Sequence, residues 1–201
     1  MGTRHLTCVF KDGKFKVAQY GQWDGYPSVA GETIFNFIRK NYDPERFAKA
    51  VDNCRVATEK GIDDLWVDCG AEPGADSVSP GVSYKFTRKY PELSRDTGAD
   101  ILWLIQERGG VYLKLEPEFG AESLFCEWAY VLDLDANRLE VYKGFNTSKT
   151  AHGCGKFARF KGSDEKYKPV KLVRSYNISD IMNGNIFIYE LIDKYEKDEE
   201  E

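Results

Sequence analysis

Histidine is scarce in this chain, with two in 201 residues, and no two of its five cysteines form a Cys-x-x-Cys pair. A zinc site therefore lacks its usual donors, since such sites draw on closely spaced thiolates and imidazoles. The scattered Cys8, Cys54, Cys69, Cys126 and Cys154 read as buried thiols acting as small apolar residues. No apolar run approaches the roughly 20 residues of a membrane-spanning helix. No basic stretch leads into an apolar run near the start, and Leu6 stands where a myristoylation signal wants Ser or Thr. The Gly-x-x-x-x-Gly-Lys-Ser/Thr phosphate loop is absent as well. These absences lead to the expectation of a cytoplasmic protein without membrane contact, metal or cofactor.

Aromatic residues are plentiful instead. Twelve Phe, twelve Tyr and four Trp supply a sizeable core, and a 42% hydrophobic content excludes wholesale disorder. The length suits one domain, and the expectation is a single α+β domain over residues 1–195 with a solvated acidic tail over 196–201. Charge is unevenly spread. Residues 143–174 carry a net +7, whereas the rest of the chain carries −12, for a total of −5. One basic segment in an acidic protein can hold an anion by local charge. Direct binding of duplex DNA is not expected, because phosphate contacts need a broad basic face.

Along the chain, alternating Leu6, Cys8 and Phe10 predict a strand over 3–10. The Asp12-Gly13 dipeptide predicts a hairpin turn, and Phe15 to Tyr20 the returning strand. A helix is expected from about Gly31 to Asn41, and a second opens on Asp43-Pro44, cap and first helical residue. Residues 70–81 read as a loop and 82–88 as a short strand. Thr97 reads as the N-cap of a helix over 101–107, closed by Gly109-Gly110. Val111 to Leu115 reads as a strand, 126–134 and 139–142 as a second hairpin, and a last helix is expected from about Ser179, with its firmest stretch from Ile186 to Tyr195. The expected architecture is a hairpin-rich antiparallel sheet packed with helices.

Three stretches suggest chemistry. In the loop Tyr20 to Ser28, Tyr20, Trp23 and Tyr26 offer flat faces, while Gln22 and Asp24 offer directional hydrogen bonds. Gly21 and Gly25 would let backbone approach a ligand closely. A planar polar molecule such as a nucleobase suits this set. In the first strand, Thr3 and His5 share one face and Arg4 takes the other. Beside Asp24, His5 could serve as a general base, which makes Thr3, His5 and Asp24 candidate catalytic residues. The third stretch, Asn146 to Lys156, gathers hydroxyls, Lys149, His152 and Lys156 around two glycines, as an anion-binding loop would. Its bland alternative is an exposed polar loop.

Two resemblances bear on these residues. Met1-Gly2-Thr3-Arg4-His5 followed by Gln19-Tyr20-Gly21-Gln22-Trp23-Asp24-Gly25-Tyr26-Pro27-Ser28 resembles the opening of an uncharacterised family found in phages and fungi. The family pattern continues Gly-Gln-Gly, where this chain has Val29-Ala30-Gly31, and the likeness covers residues 1–38. A looser similarity is to N-terminal-nucleophile hydrolases of the choloylglycine type, which open with a hairpin ending in an aromatic-Gly-polar-x-x-Asp loop. That similarity implies a sandwich fold and amidase chemistry. The chain departs from it at the nucleophile, for Gly2 stands there and Thr3 would serve only after two residues were removed.

Three functions follow as expectations. The first is a protein that binds a planar, anionic, nucleotide-like small molecule through Arg4, Tyr20, Gln22, Trp23, Tyr26, Lys149, His152 and Lys156. In a phage such a protein would counter host defence. The alternatives are a hydrolase using Thr3, His5 and Asp24, and an inhibitor of a host protein whose acidic surface imitates a phosphate backbone.

Overall fold

The turn Lys11-Asp12-Gly13-Lys14 joins β1 (His5–Lys11) to β2 (Lys14–Gly21), with Asp12 and Gly13 both at positive φ, as a tight hairpin requires. The computed structural model describes residues 2–196. It confirms the α+β class. Five strands form one sheet in the order β2-β1-β5-β6-β7, where β5 is Trp128–Asp133, β6 is Arg138–Lys143 and β7 is Lys171–Asn177. Every junction is antiparallel except that of β1 with the central β5, which run parallel with His5 beside Trp128. The two hairpin turns clasp each other. Asp135 accepts the backbone N–H groups of Asp12 and Gly13 at 2.8 and 2.9 Å.

The alternation read in the sequence sorts side chains to the two faces of the sheet. Val9, Val17, Trp128, Tyr130, Val141 and Tyr176 face a cluster with the helices, among them α1 (Glu32–Lys40), α2 (Pro44–Asn53) and α5 (Ile101–Arg108). Leu6, Cys8, Phe10, Ala129, Val131 and Tyr142 face the other way. There the cover is Phe157, Val170 and the short turns around them, and no second sheet stacks on this side among the described residues.

Helix boundaries follow local chemistry. Asp43 accepts the N–H of Arg46 at the head of α2, and Gly109 at φ 71° closes α5. Residues 82–88, read as a strand, are instead the body of α4 (Pro80–Lys89). Ser79 caps it and Pro80 occupies its first turn, a start signal that outweighs a short β-like run. α4 packs against α3 (Glu59–Asp68), an element the sequence reading lacked, through the stacked rings of Trp66 and Phe86 with centroids 3.6 Å apart. The expected strand at 111–115 is the two-residue β4 (Tyr112–Leu113), parallel to β3 (Arg55–Val56). Thr97 caps nothing, since its hydroxyl donates to the Pro91 carbonyl. The last helix of the expectation splits into α6 (Ile178–Met182) and α7 (Tyr189–Tyr195). Glu196, read as the first tail residue, accepts from the Ser28 N–H at 2.9 Å, and 197–201 lie outside the described residues.

Candidate functional site

The entry of β1 and the exit of β2 bring most of the expected residues together. Thr3 and His5 lie on the helix-facing side of β1 and Arg4 on the other, as strand alternation dictates. The loop after β2 folds back over this strand. Its Gly25 N–H donates to the Thr3 carbonyl at 2.9 Å, and Tyr130 donates to the Gly25 carbonyl at 2.9 Å.

The glycines of that loop serve His5 rather than a ligand. A β-carbon on Gly21 would stand 2.2 Å from His5 Cε1, one on Gly25 would stand 2.8 Å from His5 Cβ, and one on Gly98 would stand 3.0 Å from Nε2. The ring is sealed, 2% exposed, and neither nitrogen has a hydrogen-bond partner. Burial lowers its pKa to about 4, partly opposed by the Thr3 backbone and by the Asp24 carboxylate. A neutral imidazole with no path to solvent cannot take a proton from a substrate in this conformation. Thr3 is buried too.

Trp23 is half exposed, with its indole laid against Gly2, where a β-carbon would meet Cε3 at 2.1 Å. Asp24 is exposed at φ 55°, and its carbonyl accepts the Ala30 N–H. Tyr20 donates to the Gln22 side chain at 2.6 Å and meets Phe119 edge-on, while the Arg4 guanidinium lies 4.9 Å from the centre of the Phe125 ring. The half-buried Tyr26 leads into the turn at Pro27–Gly31. None of the cavities described among these residues is lined by Trp23, Asp24 or Tyr26.

The Lys156 end of the basic loop lies elsewhere. Lys156 touches the Phe10 ring, at the far end of β1 and on the opposite face of the sheet from His5. Five strand residues separate His5 from Phe10, about 17 Å. The Lys156 ammonium is committed to Asp133 at 2.6 Å and Glu140 at 2.9 Å, and Glu140 also accepts from Tyr142 at 2.6 Å. Lys149 and His152 are exposed nearby in sequence. Lys156 therefore does not join Trp23 and His5, and none of the described cavities is lined by Lys149 or His152.

A cavity lies where no local stretch of sequence signals one. The parallel contact of β3 with β4, the end of α4 and the end of α5 border an open cleft of about 360 Å³, lined by Arg55, Lys89, Tyr90, Glu92, Arg108 and Tyr112 among others. Gly110 is required at its back wall, at φ 128° with Asn53 2.7 Å from where a β-carbon would be. Arg108 pairs with the buried Glu92 at 2.9 Å, and burial pushes that carboxyl above its usual range against the pull of its own N–H and of Arg108. Lys89 pairs with Asp68, which also accepts from Tyr90 at 2.9 Å. Arg55 has no ion-pair partner among the described residues. These cations come from α4, α5 and β3, spread across 54 residues of chain, so no window of sequence displays them together.

Set against family models, curated proteins and solved structures, the chain matches none.

Proposed function

We propose that this protein binds a small, planar, anionic molecule of nucleotide type in the cleft between the β3–β4 pair and α4. The observation that carries this reading is the convergence of Arg55, Lys89 and Arg108 with Tyr90 and Tyr112 on one 360 Å³ cavity. That volume lies within the roughly 300–1,000 Å³ of small-molecule pockets. The tyrosines offer faces for a base, and the cations offer charge for a phosphate. Arg55 matters most. Arg108 is balanced by Glu92 and Lys89 by Asp68, so Arg55 brings the uncompensated charge.

The ligand class is the one the Trp23 loop suggested, while the place is different. Sequestering a signalling nucleotide, the role that fits a phage protein acting against host defence, needs only this binding. The hydrolase alternative needs Thr3 and His5 open to substrate, and both are buried. Calorimetric titration with AMP tests the reading. Binding is expected to weaken by about tenfold or more in Arg55→Ala, the loss of roughly 1.4 kcal/mol of charge-assisted contact. Trp23→Ala should bind as the parent does. No binding, or equal binding by Arg55→Ala, overturns the assignment.

A further inference from the structure

A second cavity of about 460 Å³ adjoins the cleft at Lys89, which lines both, and it adds Cys69, Tyr84, Lys85 and Arg88. Each cavity has the same make-up of ring and cation. Tyr90 and Tyr112 stand with Arg55 and Arg108 in the first. Tyr84 stands with Lys85 and Arg88 in the second, where the Arg88 guanidinium lies 5.7 Å from the centre of the Tyr84 ring. The charged side chains lining the two, five cations against Asp68 and Glu92, leave a net +3 in a chain of net −5. The shared cation pairs with an exposed partner, since Lys89 and Asp68 are both about half exposed, and its ammonium also lies 5.4 Å from the centre of the Tyr90 ring. An anion can displace such a pair at small cost, because exposed ion pairs contribute little.

One cavity suits one base, and a single cation common to two cavities suits an anion that joins two bases. We propose that the ligand is a dinucleotide, with one base in each cavity and a linking phosphate at Lys89. This rests on the binding reading above and narrows its ligand class. A base seated against an aromatic ring adds enough stacking to raise affinity by about tenfold or more, and the second base of a dinucleotide gains this without a second loss of translational freedom.

Titrating the full chain with AMP and with cyclic di-AMP tests the inference, and GMP with cyclic di-GMP extends it to the other purine. The dinucleotide of at least one pair is expected to bind about tenfold or more tighter than its mononucleotide. Tyr84→Ala should cancel that ratio, and the ring is 63% exposed, so its removal spares the core. Lys89→Ala should weaken the dinucleotide. Mononucleotide and dinucleotide binding equally in both pairs, or a ratio untouched by Tyr84→Ala, overturns the dinucleotide while leaving the binding reading in place. Failure of every nucleotide to bind removes both.

Discussion

Gly21 lies against the face of His5 so closely that a β-carbon there would stand 2.2 Å from the imidazole Cε1. The ring is walled by backbone and cannot yield, because Gly25 and Gly98 close the other sides. Gly21→Ala should therefore destabilise the protein by about 1–3 kcal/mol through overpacking. Chemical denaturation checks this, and wild-type stability in the variant would mean that the seal is looser than drawn.

The same burial ties stability to pH. The folded His5 titrates near pH 4, against 6.5 for the free side chain. Between those values the unfolded chain binds more protons than the folded one, so stability should rise with pH across that window and be complete above about pH 6.5. The contribution from His5 is up to about 3 kcal/mol, lost as the pH falls toward 4. His5→Leu, which cannot titrate, should flatten the curve between pH 4 and 6.5 relative to the parent. An unchanged slope would assign the effect to other groups.

Lys156 is a structural cation. It neutralises Asp133 and Glu140, whose side chains are 4% and 13% exposed. Lys156→Ala leaves two carboxylates buried together without their counter-charge, a loss of about 3–5 kcal/mol. The melting temperature should fall sharply. A variant that stayed fully stable but lost nucleotide binding would restore the anion-loop reading of residues 146–156.

The α3–α4 pair should be the least stable part of the fold. α3 buries no residue, and its main tie is the Trp66–Phe86 stack. Phe86→Ala is expected to speed amide exchange throughout α3 by at least tenfold while β1 and β5 keep their protection. Nucleotide binding should weaken with it, because Lys89 ends α4 and Tyr90 caps it. Equal loss of protection in the central strands would show one cooperative unit instead.

Short-range signals were read well. Asp12-Gly13 makes its turn, Asp43-Pro44 opens α2, and Thr3, Arg4 and His5 divide between the faces of β1 as alternation requires. Where two short-range signals competed, over 79–89, the Ser-Pro start prevailed over the alternating run. The Trp23 loop was legible as a place where glycine is needed. Its purpose was not, since a glycine that admits a ligand and one that admits a neighbouring histidine look the same in sequence.

The chain's own pattern determined the α+β class, the two hairpins and the composition of each face, because turn chemistry and side-chain alternation act over a few residues. Tertiary structure alone decided that His5 is sealed by Gly98 from a segment distant in sequence, that Lys156 is spent on Asp133, and that Arg55, Lys89 and Arg108 share one cleft. Each of those depends on how distant segments close upon one another, and local propensity carries no record of that.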